Sequence, residues 1–268
     1  MEKGVPIRSI IRAIAALKAI NEHGSLTMME ISRAAGVPYP TASRIVQTLM
    51  FEGLVEQEPA RKRYRATVLV QSLSHGFQQR DQLVSVSRPH IVELTKQVGW
   101  PISIAIRIGQ RMVLRDSTHA NTSLTFENYY PGFTLPLLDS ASGKLSLAYA
   151  ADEERELILG WMRQDRDVDM DYFISAETSL NLELIRKSGY AVQGRNHFNR
   201  TPGKTSSIAV PITCDGIFEA AMTIVFFVRA MKIEDAIDQY LDTLKRYAAA
   251  ISHDLTEARA QRRVADGN

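Results

Sequence analysis

Apolar residues recur at helical spacing in three short segments near the start of the chain, and glycine or proline separates the segments. Residues 7–20 form the first segment, with Ile7, Ile10, Ile14 and Leu17 at this spacing. Thr27 and Glu30 have the spacing of a capping box and open a short helix that runs to Ala35. Residues 40–52 form the third segment, which carries one apolar stripe of Ala42, Ile45, Val46 and Leu49.

A β-hairpin is predicted directly after the third helix. Residues 54–57 and 63–66 have strand composition and flank the polar turn 58–62. Arg61, Lys62 and Arg63 lie at or beside the tip of this hairpin. Three helices followed by a basic hairpin are the pattern of a winged helix-turn-helix.

The rest of the chain predicts a second domain that mixes helices and strands. Residues 67–82 are interpreted as a linker helix, and 83–260 as an α/β domain whose clearest strand is the alternating run 102–108. Residues 261–268 are expected to form a C-terminal tail. The fold class is therefore α+β, with the winged helix confined to 1–66.

The polar face of the third helix is the candidate DNA-reading surface. It carries hydrogen-bonding side chains and no carboxylate: Thr41, Ser43, Arg44, Gln47 and Thr48. Such groups suit base edges and phosphates in a major groove. Arg61, Lys62 and Arg63 suit phosphates or a minor groove. A small structural helical domain with a solvated polar face is the alternative interpretation.

Charge is distributed unevenly along the chain. Residues 1–80 carry 11 Lys and Arg against 6 Asp and Glu, whereas the remainder carries 21 against 24, so a basic first third precedes an acidic body. This asymmetry is expected when one module meets phosphates. A single cysteine, Cys214, excludes an internal disulfide. No secretory signal or membrane-spanning run is evident, so we expect a cytoplasmic protein without membrane contact.

The order of these motifs resembles the IclR family of bacterial regulators. The shared features in the first domain are the three helical segments, Thr41 to Arg44, Gly53, and the pair Tyr64 and Arg65. In the second domain they are the segments 135–137, 140–144, 189–190 and 207–211. The resemblance covers about residues 5–258. It implies a winged helix, a linker helix and a GAF-like effector-binding domain. It also implies that the protein works as a homodimer or homotetramer.

Within that family the sequence is most similar to regulators of hydroxyphenylpropionate catabolism, through residues 100–101, 113–119 and 135–138. The resemblance implies a response to an aromatic acid and a role as activator more than repressor. It also implies effector contacts at Ala141, Ser142, Ser207 and Thr223. The first pair has physical support, since backbone N–H groups at a helix N-terminus favour an anion. Gln193 stands where the family has an acidic residue, which puts a role for that position in doubt.

Arg115 is a further candidate effector ligand. If Gly109 and Gln110 form a two-residue hairpin loop, Ile104 pairs with Arg115 and the guanidinium lies on the isoleucine face. A charge there requires an anion, which a ligand carboxylate would supply. An internal salt bridge to Asp116, Asp139 or another carboxylate is the alternative, and a one-residue register error would place Arg115 in solvent.

Two classes of function remain after these observations. The first is a DNA-binding regulator that binds a double-stranded operator and responds to a small carboxylate, with an aromatic acid favoured. The second is a sensor or enzyme whose basic N-terminal module docks a protein partner. The sequence shows no paired nucleophile and base, no metal-ligand cluster and no cofactor fingerprint, which favours a regulator without cofactor over an enzyme.

Overall fold

The computed structural model describes residues 6–59, 61–74, 82–125, 129–163, 180–195 and 203–266, with side chains up to 262. The chain divides into two compact units, Met1–Asp81 and Gln82–Asn268. The first contains a helix-turn-helix and the second an antiparallel sheet with helices, which confirms the α+β class. No described helix is long and apolar enough to span a bilayer.

The first unit packs three helices on a small antiparallel sheet of strand order β1-β3-β2. The helices are α1 (Arg8–His23), α2 (Met28–Ala34) and α3 (Tyr39–Phe51), and the strands are β1 (Leu26–Thr27), β2 (Val55–Gln57) and β3 (Arg63–Ala66). Thr27 and Glu30 form the predicted capping box at the start of α2. Ile20, Ile31 and Val46 are fully buried and form the centre of the core.

Two features of this unit differ from the expectation. The stripe Ile7, Ile10 and Ile14 on α1 is more than half exposed, because Ala16, Ala19 and Ile20 supply the side that packs on α2 and α3. The predicted linker helix over 67–82 takes the 3-10 form in its first half, at Val68–Ser74. Its second half, 75–81, lies outside the described residues.

The second unit is built on a six-stranded antiparallel sheet of order β6-β5-β4-β9-β8-β7. Its strands are β4 (Ile102–Ile108), β5 (Arg111–Ser117), β6 (Thr134–Pro136), β7 (Ala191–Gln193), β8 (Thr205–Cys214) and β9 (Ile217–Phe227). Its α-helices are α4 (Gln82–Val98), α5 (Ala141–Tyr149), α6 (Asp152–Arg163), α7 (Leu182–Ser188) and α8 (Ile233–Asp266). Helix α8 continues to Asp266, so most of the expected tail 261–268 is helical.

Each face of this sheet has its own hydrophobic core. Ile102 and Ile104 pack with Ile208 on the face that α4 and α8 cover. Ala105 and Leu114 pack with Leu145 on the face that α5 covers. The isoleucine face identified from the sequence is therefore the α4–α8 face, and the opposite face is available for a cavity under α5.

The β4–β5 hairpin contains a bulge that the sequence did not reveal. Ile108 pairs with Arg111 and Ile106 with Val113 as expected, but Ile104 pairs with Asp116. The expected pairing of Ile104 with Arg115 is wrong, because Arg115 is the extra residue between Leu114 and Asp116. A bulge places two residues opposite one and disrupts the ladder locally.

Candidate DNA-binding surface and effector cavity

Helix α3 presents the predicted reading residues on its outer face. Arg44, Gln47 and Thr48 are exposed, and Thr41 and Ser43 are partly exposed. The opposite side holds Ala42, Val46 and Leu49 in the core. The Thr48 hydroxyl donates to the carbonyl of Arg44 at 3.0 Å, so it remains on the helix surface with its lone pairs available. The polar face can therefore approach a groove without disturbing the fold.

The three basic residues of the hairpin do not lie in equivalent environments. Arg61 and Lys62 are exposed in the turn between β2 and β3. The Arg63 guanidinium instead donates to the carbonyl of Ser25 at 2.6 Å and lies 3.2 Å from a carboxylate oxygen of Glu30. Hydrogen bonding to Thr27, followed by the nearby charge of Arg63, lowers the pKa of Glu30. Arg63 thus links β3 to α2, and the tip that could meet a phosphate consists of Arg61 and Lys62.

A groove between α1 and α3 brings further cations beside the reading helix. Arg8 and Arg12 of α1 line it together with Arg44 and Thr41 of α3. The apolar pattern over 7–20 predicted an amphipathic helix and gave no role to these two arginines. Their spacing of four residues, on one side of a helix that begins the basic third, was the available signal.

A cavity lies in the second unit under the N-terminus of α5. Six hydroxyl-bearing residues line it: Ser103, Ser140, Ser142, Thr205, Ser207 and Thr223. The other lining residues are Leu114, Tyr129, Leu135, Ala141 and Val225. None of these described lining residues is charged. Its volume is about 20 Å³, which suits one water molecule.

Helix α5 can approach the neighbouring segment closely because of a glycine. A Cβ on Gly143 would lie 2.1 Å from the carbonyl oxygen of Leu137, so no larger residue fits. The Ser140 hydroxyl caps the helix by accepting from Gly143 N at 3.1 Å and donates to the carbonyl of Pro136 at 2.6 Å. The backbone N–H groups of Ala141 and Ser142, in the same first turn, have no partner within the helix.

Thr223 is the unusual member of the cavity wall. Its side chain is buried, and its hydroxyl has no hydrogen-bond partner within the described part of the chain. In the strand register, Thr223 lies opposite Ser103 of β4 on one side and opposite Ala209 of β8 on the other. Ser207 lies two residues before Ala209 on β8. An unpaired buried hydroxyl costs free energy that a hydrogen-bonding ligand would recover.

The structure brings four of the five predicted effector residues together and leaves Arg115 out. Ala141, Ser142, Ser207 and Thr223 line one cavity, whereas Arg115 is not among the lining residues. The next residue along β5, Asp116, pairs with Ile104 and accepts from Arg88 of α4 at 2.8 Å. The bulge at Arg115 thus lies between Leu114, which lines the cavity, and Asp116, which pairs with Arg88 of α4.

Aromatic residues border the cavity on one side. Tyr129 lines it, and the Phe133 ring meets the rings of Tyr129 and Tyr130 edge to face with centroids 5.5 and 5.8 Å apart. Phe126, considered with them in the sequence, lies outside the described residues. Near this segment, burial lowers the pKa of His119, against a weaker opposing effect of its hydrogen bond to the Tyr129 backbone.

Comparisons with known proteins agree on one family. Residues 9–59 match the IclR helix-turn-helix domain and residues 75–253 match the C-terminal domain of bacterial IclR transcriptional regulators. The HTH-type transcriptional regulator BhcR of Paracoccus denitrificans is 28% identical over 77% of this chain and 72% of its own length. These families and relatives are transcriptional regulators and not enzymes.

Solved structures show the same fold. An IclR family transcriptional regulator from Brucella abortus aligns with a TM-score of 0.66 and 22% identity, covering 94% of this chain and 96% of that one. An IclR homolog from Microbacterium hydrocarbonoxydans, complexed with 4-hydroxybenzoate, aligns with the same TM-score and identity over 92% and 98% of the two chains.

Proposed function

The chain belongs to the IclR family of DNA-binding transcription regulators, and on that premise we propose that it controls catabolic genes in response to a small aromatic carboxylate. The reading residues are Thr41, Ser43, Arg44, Gln47 and Thr48, with Arg61 and Lys62 at the wing. The effector site is the cavity under α5. The observation that carries the effector proposal is the unpaired Thr223 hydroxyl in a wall of hydroxyl groups.

The carboxylate is held by hydrogen bonds and by the helix N-terminus. The backbone N–H groups of Ala141 and Ser142 donate to it at the positive end of α5, where anions are stabilised. The hydroxyls of Ser207 and Thr223 donate from the sheet. This arrangement takes the place of a salt bridge to Arg115, which does not line the cavity. The 4-hydroxybenzoate complex of the Microbacterium relative supports the class of ligand.

The cavity must widen to admit an aromatic ring, because its present volume suits only a water molecule. The aromatic cluster of Tyr129, Tyr130 and Phe133 borders it and is the proposed moving part. A ligand that binds the widened state better shifts the population toward that state, and only this unequal affinity can alter DNA binding.

Pairing of two chains is the second part of the proposal. One winged helix reads a short half-site, so specificity normally requires two. The exposed isoleucines on the side of α1 away from α3, Ile11 and Ile14 with the N-cap Ile7, offer an apolar surface for a second copy. We propose a homodimer or homotetramer. Light scattering should give at least twice the monomer mass, and a monomer mass with and without DNA would contradict it.

The direction of control is proposed as activation, on the resemblance to hydroxyphenylpropionate regulators. A reporter gene placed behind an operator that the protein selects from a random pool of duplexes tests this. Expression should rise when regulator and effector are both present, and expression that is highest without the regulator would indicate a repressor.

Thermal-shift screening of the full chain identifies the effector. A panel of benzoates and phenylpropionates is compared with their uncharged amides, and 4-hydroxybenzoate is included with 4-hydroxybenzamide as its control. An acid at 100 times its Kd should add about 2.7 kcal/mol of stability, with a smaller shift from the amide. Equal shifts from acid and amide would contradict carboxylate recognition.

A further inference from the structure

The groove between α1 and α3 is strongly cationic. It has a volume of about 680 Å³, and three of its lining residues are the arginines Arg8, Arg12 and Arg44. No carboxylate is among the described residues that line it. All three arginines are exposed, and none forms an ion pair with any described part of the chain. The groove therefore has a positive charge that the described residues do not neutralise.

Arg8 and Arg12 are arranged at an energetic disadvantage for the free protein. They lie four residues apart on α1, where like charges repel one another. Arg8 also occupies the first turn, in which a cation opposes the helix dipole, and that turn has no acidic residue. An anion in the groove would relieve both effects.

The ends of both helices add to the same electrostatic field. The N-cap of α1 is Ile7 and that of α3 is Pro38, and neither supplies a side-chain hydrogen bond to the first turn. Helix α3 also lacks an acidic residue in its first turn. Arg8 and Thr41, in the first turns of α1 and α3, line the groove and have backbone N–H groups, whereas Pro40 beside Thr41 has none. Uncapped N–H groups at helix N-termini are donors for phosphate oxygens.

From these observations we propose that α1 is a second DNA-contacting element, in which Arg8 and Arg12 bind backbone phosphates beside the bases that Arg44 reads. The proposal rests on the proposed function, because Thr41, Arg44 and Thr48 of the reading face line the same groove. Phosphate contacts position a protein on the duplex without reading sequence. Arg8 and Arg12 therefore contribute affinity and register, while Arg44 contributes sequence discrimination.

The dependence of DNA affinity on salt tests this division of roles. Full-length wild type, Arg8→Gln, Arg12→Gln and the double variant are titrated against two duplexes: an operator selected by the wild type from a random pool, and a scrambled duplex of the same length. Removing one phosphate-binding cation should reduce the slope of log affinity against log salt by about 0.9. Between about 50 and about 200 mM salt, the fall in affinity should be roughly tenfold smaller for the double variant than for wild type.

Lys18→Gln is the matched control, since Lys18 is an exposed cation on the same helix but not in the groove. It should leave the slope unchanged. The ratio of operator to scrambled affinity should also stay within about twofold in the double variant, because phosphate contacts carry no sequence information. Circular dichroism melting should show no destabilisation, since the substitutions remove a like-charge repulsion.

Three outcomes would overturn the inference. A wild-type slope in the double variant would show that α1 does not contact phosphates. A collapse of the ratio of operator affinity to scrambled-duplex affinity would show that these arginines read bases. An equal change of slope in Lys18→Gln would show that the effect comes from the net charge of the protein and not from the groove. If the wild type itself bound neither duplex, the proposed function would fail instead, so the two failures are distinguishable.

Discussion

The reading face of the first unit and the cavity of the second both present polar side chains, but these side chains differ in their exposure to solvent. Arg44, Gln47 and Thr48 are exposed to solvent, so their polar atoms cost the folded state little before DNA arrives. Thr223 is buried and its hydroxyl has no partner among the described residues, so only a ligand or a water molecule in the cavity can pair with it. Substitutions on the reading face should therefore change binding alone, whereas removal of the Thr223 hydroxyl should raise stability and lower effector affinity.

The two tryptophans make this contrast measurable. Trp100 and Trp161 are the only tryptophans of the chain, and both belong to the second unit. Trp100 is buried in the core on the α4–α8 face, so its fluorescence reports unfolding of that unit. Operator binding reports the first unit independently.

The largest effect is expected from Gly143→Ala. The added methyl group would lie 2.1 to 2.7 Å from backbone atoms of Leu137, which cannot rotate away, so α5 must shift and the cavity is lost. We expect the free energy of unfolding to fall by about 3 kcal/mol or more in urea titrations followed by tryptophan fluorescence. Gly160→Ala on α6 is the control, because its Cβ meets nothing within 4 Å and alanine favours a helix. Equal effects of the two substitutions would refute the close approach of α5.

Arg44→Ala should affect binding without affecting stability. Removing one good base interaction costs about 1–3 kcal/mol of operator affinity and relaxes discrimination at one position. The side chain is exposed, so the urea midpoint followed by circular dichroism, which includes the helices of the first unit, should not move. Lys18→Ala removes an exposed cation elsewhere on the unit and serves as the control. Unchanged footprints with Arg44→Ala would show that α3 is not the reading helix.

Thr223→Val should show the opposite behaviour. Replacing the unpaired hydroxyl by a methyl group of similar size should stabilise the free protein by about 1 kcal/mol and lower effector affinity roughly tenfold. Thr95→Val is the matched control, since the buried Thr95 hydroxyl is hydrogen-bonded to that of Thr118 at 2.6 Å. That substitution should destabilise the protein. If Thr223→Val also destabilised the protein, the Thr223 hydroxyl would have a hydrogen-bond partner in solution.

A smaller effect concerns pH. Burial lowers the pKa of His119 below 6.5, with Arg88 also lowering it and Asp116 raising it, so the folded state holds the ring neutral. The unfolded chain binds a proton first as pH falls, and stability is therefore lost below about pH 6.5 and regained above it. The tryptophan-monitored urea midpoint should fall between pH 7.5 and pH 5.5, and His119→Gln should flatten this dependence.

The first unit was the easier one to predict because its signals are local. The capping box at Thr27 and Glu30, the stripe on α3 and the wing all arise from residues close in sequence, and the structure contains each. The exposure of Ile10 and Ile14 was missed, since periodicity identifies an apolar face but not what covers it.

The cavity depends on segments far apart in the chain, from Ser103 to Val225. Four of its residues were predicted from family resemblance, whereas the pairing expected for Arg115 is wrong because of one bulge. A bulge inserts a single residue and leaves the alternating pattern of 102–108 intact, so the hydrophobic pattern could not reveal it. Ser103, Thr205 and Gly143 were absent from the prediction because small residues give no periodic signal.

The central claim is that a carboxylate in the α5 cavity changes how the first unit binds DNA. Fluorescence anisotropy of the selected operator, with and without the acid found by thermal shift, tests it on wild type and Thr223→Val side by side. The acid should change wild-type operator affinity by at least about fivefold, while at the same concentration it should have a much smaller effect on the variant. Wild-type affinity that stays constant at saturating acid would contradict the claim.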